Sequence, residues 1–217
     1  MKIILLLLFS LAFLLLFTLA SSTNNIPNQA FRTIRDIEGN PLNKNSRYFI
    51  VSAIWGAGGG GVRLANLGNQ GQNDCPTSVV QSRNDLDNGV AVYITPRDPK
   101  YDIISEMSTV NIKFYLDSPT CSHFTMWMVD NFPKPTDQLY TISTGEQLID
   151  SMNLNNRFQI KSLGGSTYKL VFCPHGEKFT CQNVGIADEN GYNRLVLTEN
   201  AKAFVFKKDE RIGMAIV

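Results

Sequence analysis

Val90-Ala-Val-Tyr-Ile94, Thr95-Pro-Arg-Asp-Pro-Lys-Tyr-Asp102 and Val110-Asn-Ile-Lys-Phe-Tyr-Leu116 follow one another near the middle of the chain. The outer two are rich in β-branched and aromatic residues, and in the second the apolar side chains fall on every other position. That is the period of a strand with one buried face. The middle stretch is loop: its two prolines fix their own φ and restrict the residue before each, so it is stiffer than an ordinary turn. It sets Arg97 and Lys100 on display between two strands.

Working outward, the same kind of run recurs at Tyr48–Val51, Phe124–Val129, Phe158–Ile160, Tyr168–Phe172, Arg194–Leu197 and Phe204–Phe206. Turn chemistry separates the runs: Glu38-Gly39-Asn40-Pro41, Asp87-Asn88-Gly89, Gly164-Gly165 and Glu189-Asn190-Gly191. Asn-Gly supplies the positive φ angles of tight hairpins. Roughly a dozen short strands spread evenly along one chain, with no helical period and no linker, predict a single all-β domain with a closed or two-sheet architecture. Three blocks of about 60–65 residues can be drawn, but their likeness is too weak to establish a repeat.

The chain has 217 residues, 20 basic and 19 acidic, and is 43% hydrophobic. Part of that hydrophobicity is concentrated in Ile3–Ala20, which follows Met1-Lys2 and precedes the small polar stretch Ser21–Asn25. A basic start, an apolar block and small residues at its end describe a secretory signal peptide over residues 1–20. An uncleaved anchor is the competing reading, since the run is long enough to span a bilayer. Residues 21–30 then form an N-terminal arm, in which Asn25-Ile26-Pro27-Asn28 sits where vacuolar sorting sequences occur, and 31–217 the domain. Cleavage removes Lys2 and no acid, so the mature charge falls from +1 to zero. A balanced charge argues against a nucleic-acid partner, and after cleavage no further segment is apolar enough for a membrane. The expected destination is secreted or vacuolar, by way of the secretory pathway.

An oxidising compartment makes the four cysteines, Cys75, Cys121, Cys173 and Cys181, two expected disulfides with three pairings open. The sequential pairing, Cys75–Cys121 with Cys173–Cys181, is the one we favour, and it closes one long and one short loop. Zinc is the alternative at Cys173-Pro-His175 and Cys181, but no C-x2-C pair exists, and no metal or cofactor is expected. Trp55-Gly-Ala-Gly-Gly-Gly-Gly-Val62 lacks the Gly-Lys-Ser/Thr ending of a phosphate loop, so it reads as a close-packed or flexible connection between strands. No G-x-S-x-G occurs, two histidines carry no information, no cysteine is spare, and spacing alone singles out no carboxylate pair. The chain has no N-x-Ser/Thr sequon. An enzyme is not expected. For the loop at 95–102 two readings stand: a solvated turn, or a protein-binding loop whose Lys or Arg enters an acidic pocket of the kind trypsin-like proteases have.

The stretch Ile34-Arg-Asp36-Ile-Glu-Gly39-Asn-Pro41-Leu42-Asn-Lys-Asn-Ser-Arg-Tyr48-Phe-Ile50 resembles the N-terminal signature of the plant Kunitz family, the soybean-trypsin-inhibitor-like proteins. Cys75-Pro-Thr-Ser-Val-Val-Gln-Ser-Arg-Asn-Asp-Leu-Asp-Asn-Gly89 is similar to the same family, as is Tyr168-Lys-Leu-Val-Phe-Cys173-Pro through Cys181 to Val184-Gly-Ile186. These pieces are colinear and include all four cysteines.

The resemblance implies a β-trefoil of twelve strands in three pseudo-repeats, a six-stranded barrel closed by hairpins, with the sequential disulfide pairing. It also implies a monomeric inhibitor whose exposed loop enters a serine endopeptidase as a substrate mimic. Counting back from Lys113-Phe114 places the reactive bond at Lys100–Tyr101, with Arg97–Asp98 in reserve and Pro96, Pro99 and Asp102 in the same loop. The family's loop-bracing Asn falls at Lys44, so its neighbours Asn43 and Asn45 are the expected supports. Asn45-Ser46-Arg47 replaces a common Gly-Gly, and Tyr101-Asp102 replaces a small or aliphatic residue followed by a basic one. The same scaffold also serves non-inhibitory storage, defence and carbohydrate-binding proteins, which is the alternative reading.

Overall fold

A computed structural model describes residues 32–54, 56, 58–67, 75–117, 119–132, 139–146, 154–174 and 180–211. The expected signal peptide, residues 1–20, and arm, 21–30, lie outside them, as does His175. Among the described residues there is no α-helix, and the twelve strands are β1 (Arg47–Ser52), β2 (Val62–Ala65), β3 (Ser78–Gln81), β4 (Val92–Pro96), β5 (Val110–Phe114), β6 (Phe124–Val129), β7 (Ile142–Glu146), β8 (Phe158–Gly164), β9 (Thr167–Phe172), β10 (Gln182–Glu189), β11 (Tyr192–Thr198) and β12 (Ala203–Lys208).

Pairing sorts them into a barrel and a cap. Strands β1, β4, β5, β8, β9 and β12 form an antiparallel ring, closed where β12 returns to β1 with Ile50 opposite Phe206. The hairpins β2–β3, β6–β7 and β10–β11 lie across one end and meet each other through β3–β7, β3–β11 and the bridge Thr141–Val196. Four strands per unit, taken three times, make this a β-trefoil. Closing the ring removes the open sheet edges that invite aggregation.

Alternation decides which side chains fill the barrel. In β5 Val110, Ile112 and Phe114 are buried while Asn111 and Lys113 are half-buried, as the period of two requires. Tyr48, Ile50, Val92, Ile94, Phe158, Ile160, Leu170, Phe172, Phe204 and Phe206 complete the interior. Trp127 comes down from the cap to pack on Phe114 and, edge-on, on Phe158, with ring centroids 5.5 and 6.1 Å apart. Each such side chain contributes about 1.5–3 kcal/mol by leaving water.

The glycine-rich connection is a packing solution. A Cβ on Gly60 would overlap the carbonyl oxygens of Asn84 and Asp87, and one on Gly61 that of Asn88. The amides of Gly60 and Gly61 donate to Ser82 O and Asp87 O at 2.8 and 2.7 Å. These amides are committed inside the protein, so the segment is a close-packed connection. The cysteines are joined Cys75–Cys121 and Cys173–Cys181, which leaves no free thiol in the described chain for zinc.

Candidate functional site

Residues 97–109 connect β4 to β5 at the barrel rim. Their shelf is the segment before β1. Ile34 and Leu42 are apolar residues in a short turn-back, bridged at Arg35–Pro41, and both are buried in the core. Ile104, in the middle of the loop, is buried between them: Ile34 N donates to Ile104 O at 3.0 Å and Ile104 N to Leu42 O at 2.9 Å. Bridges Thr33–Ser105 and Asn43–Ile103 extend the pairing, and Glu106 N donates to Arg32 O at 2.7 Å. Two core tyrosines hold the shelf in turn: Tyr168 Oη accepts from Arg35 N, and Tyr48 Oη from Asn43 N, both at 2.9 Å. The loop thus has one apolar anchor and a ladder on one side, which lowers the entropy it has left to lose.

Pro96 is the last residue of β4, buried and opposite Val110, so it belongs to the barrel and starts the loop from a fixed point. Arg97 follows half-buried. Its N–H donates to Thr109 O at 2.9 Å, and its guanidinium donates to the Asn156 side-chain oxygen at 3.2 Å. Asn156 is itself buried, and its carbonyl accepts from the Asn111 amide at 3.2 Å. Beside it, Arg157 is pushed below the ordinary arginine range by partial burial and then by the Arg97 charge. Arg97 is therefore held against the barrel.

Asp98, Pro99, Lys100, Tyr101 and Asp102 are exposed. Asp98 shapes a turn: its side-chain oxygen accepts from Lys100 N at 3.1 Å and its carbonyl from Tyr101 N at 3.3 Å. The Lys100 side chain stands out at the crest. Tyr101, Ile103 and Met107 are also exposed, and Met107 takes φ 63° while its N–H donates to Ile160 O at 3.2 Å. For a non-glycine residue that left-handed conformation costs about 1–2 kcal/mol.

Of the expected supports, Asn43 pairs with Ile103 through its backbone, and its side-chain oxygen accepts from Asn45 N at 2.9 Å. The side chain that reaches over to the loop is Lys44, between them. Its Nζ donates to Pro99 O at 3.3 Å and sits 2.7 Å from Asp102 Oδ1. The resemblance puts the bracing position at Lys44 itself, while the support was expected from its asparagine neighbours; the acid at 102, odd by itself, was the further signal that the lysine reaches the loop.

The fold is thus a rigid β-trefoil scaffold with one cationic loop held on a built shelf, the kind of position at which binding residues are commonly carried. The chain belongs to the legume Kunitz family: the model described as trypsin and protease inhibitor matches residues 34–208. The family is described by protease inhibition and not by an enzymatic activity. The chain is similar to the latex serine proteinase inhibitor of Carica papaya, 37% identical over 83% of this chain and 98% of that one. It is 34% identical to the 21 kDa seed protein of Theobroma cacao over 94% and 95% of the two chains. Among solved structures, the soybean trypsin inhibitor in complex with porcine pancreatic trypsin matches with a TM-score of 0.64 and 31% identity, covering 81% of this chain and 98% of that one.

Proposed function

We propose that this protein inhibits trypsin-like serine endopeptidases by offering Lys100–Tyr101 as a substrate mimic, and that it does so as a monomer in the secretory route, extracellular or vacuolar. The observation that carries the reading is the contrast between two cations in one loop. Arg97 is half-buried and committed to Asn156, whereas Lys100 is exposed at the crest of a turn. A specificity pocket with a carboxylate at its base needs a cation free to leave its own protein. The papaya and soybean relatives, by their names, support the protease class. The apolar run Ile3–Ala20 and the two disulfides support the compartment.

The mechanism is binding. Lys100 enters the pocket, the loop backbone pairs with the enzyme's cleft, and the shelf of Ile34, Leu42 and Ile104 keeps the loop near its bound shape beforehand. Interfaces of this kind bury on the order of 1,600 Å² in total, and preorganisation decides how much of that appears as affinity.

Stoichiometric titration of trypsin and chymotrypsin tests the reading. Lys100→Ala is expected to raise the trypsin inhibition constant by roughly thirty- to several-hundred-fold, the range of a central anchor, and Arg97→Ala by less than about tenfold. Inhibition that survives Lys100→Ala and disappears with Arg97→Ala moves the reactive bond to Arg97–Asp98. A protein that inhibits no serine protease removes the reading in favour of a storage, defence or carbohydrate-binding role.

A further inference from the structure

A groove of about 750 Å³ lies on the outer wall of the barrel. Val51 of β1 and Val205 of β12 stand opposite each other in the ladder and form its floor, on the face of these strands that points away from the filled interior. Ile37, Ile54 and Leu86 rise around them, all exposed, Leu86 to 90%. Soluble monomers seldom gather large apolar side chains at one place on the surface unless something covers them.

The walls are preformed. Ile37 is fixed to β12 by its N–H, which donates to Phe206 O at 2.9 Å. Leu86 rides a turn built by Asn84, whose side-chain oxygen accepts from Leu86 N at 3.0 Å and whose carbonyl accepts from Asp87 N at 3.0 Å. The volume is that of an ordinary small-molecule site, about 300–1,000 Å³.

Charge says what such a molecule carries. Lys207, at the edge of the groove, has only a neutral partner, Asn88 Oδ1 at 3.4 Å, and among the described residues no carboxylate pairs with it. The other charges of the lining are already engaged: Arg83 pairs with Asp188, and Asp85 acts on Lys202. An unmatched cation at the edge of an apolar groove suits an anion with an apolar tail. Among the described residues the lining holds five aliphatic side chains and no aromatic one, so there is no platform for a flat ring. With 20 basic residues against 19 acidic, the chain also lacks the basic excess that holds a protein to an anionic bilayer. We propose that the groove binds one medium-chain fatty-acid anion, with its carboxylate on Lys207 Nζ and its alkyl chain along Val51 and Val205 beside Leu86. None of the lining residues lies in the 97–109 loop, so this site stands or falls independently of Lys100.

The test is calorimetric titration of the disulfide-bonded protein with sodium octanoate, sodium decanoate and neutral 1-decanol, with ¹⁵N amide shifts to locate the ligand. Decanoate is expected to bind once per chain with a dissociation constant on the order of 10–100 µM, the scale of a ligand of about a dozen heavy atoms. It should move the amides of Val51, Leu86, Asn88 and Val205. Octanoate, two methylenes shorter, should bind roughly four- to fifteenfold more weakly. Lys207→Met, which keeps most of the stem, should weaken decanoate about tenfold, the scale of one charge-assisted hydrogen bond, and leave decanol unchanged. Leu86→Ser alters a side chain too exposed to support the fold and should weaken both ligands several-fold. Lys161→Met, on β8 and outside the groove, should change neither. The proposal is overturned by the absence of saturable shifts at the groove, by equal losses from Lys207→Met and Lys161→Met, or by decanol binding as tightly as decanoate. Co-sedimentation with phosphatidylglycerol vesicles by a protein that ignores decanoate would make a bilayer the partner and overturn it too.

Discussion

The two disulfides span very different lengths of chain, and their contributions should separate accordingly. Cys75–Cys121 closes a loop with a sequence separation of 46, and Cys173–Cys181 one of 8. On the chain-entropy relation these restrict the unfolded chain by roughly 4 and roughly 2.5 kcal/mol. The short bridge should fall below its figure, because Gln182 and Asn183 already pair with Phe172 and Val171 in the β9–β10 ladder, so it repeats a restraint the ladder supplies. Cys75 and Cys173 are both buried, so alanine leaves similar small gaps at either site. Urea unfolding of the two double variants, Cys75→Ala/Cys121→Ala and Cys173→Ala/Cys181→Ala, measures the difference. The first should lose about 4 kcal/mol and show a larger denaturant slope, because its unfolded state expands more. The second should lose about 2 kcal/mol with little change of slope. Equal losses, or a greater loss from the short bridge, would refute the entropic reasoning and place the stabilisation in native contacts.

Ile104→Ala should cost roughly 2–4 kcal/mol by opening a cavity under the loop; a trypsin titration of the folded variant should show weaker inhibition, since the loop loses its anchor. Asp209 is buried between Arg47 and Arg211; burial pushes its carboxyl up, but the hydrogen bonds and charge of Arg211, and then the charge of Arg47, outweigh it and hold the carboxyl below the usual range. Its stabilisation is therefore whole above about pH 5 and is lost as pH falls below about 4. Asp209→Asn should lower stability at pH 7 by roughly 2–4 kcal/mol, and the gap from wild type should close in urea melts taken towards pH 2.

The barrel was far more legible than the cap. Tyr48–Val51, Phe158–Ile160, Tyr168–Phe172 and Phe204–Phe206 sit in β1, β8, β9 and β12, all of them barrel strands with apolar residues aimed at a common interior. Strands β2, β3, β7 and β10 left no comparable run. Val62-Arg-Leu-Ala65 and Ser78-Val-Val-Gln81 are four residues each, and Ile142-Ser-Thr-Gly-Glu146 and Gln182–Glu189 carry glycine and polar side chains. Their polar residues are paid for by tertiary partners that no local pattern announces: Ser143, for instance, donates to Asp130, which also receives Thr141 and Arg194.

The candidate site divides in the same way. The stiffness of Thr95–Asp102 and its two cations follow from prolines and residue types, and so could be read locally. The commitment of Arg97 to Asn156 spans 59 residues and the reach of Lys44 to Pro99 spans 55, distances at which only the fold decides who meets whom.

The closure of the barrel has a consequence in time. Strand β12 seals the ring against β1, and its Phe206 carbonyl also accepts the Ile37 amide, so the shelf beneath the loop is seated on the last strand. Folds dominated by such distant pairings assemble slowly. Without β12 the shelf under the Lys100 segment lacks the seat that Phe206 gives it. With the ring closed the loop remains exposed but is held in one shape by the shelf beneath it. The shape of the loop thus depends on a strand remote from it in the chain.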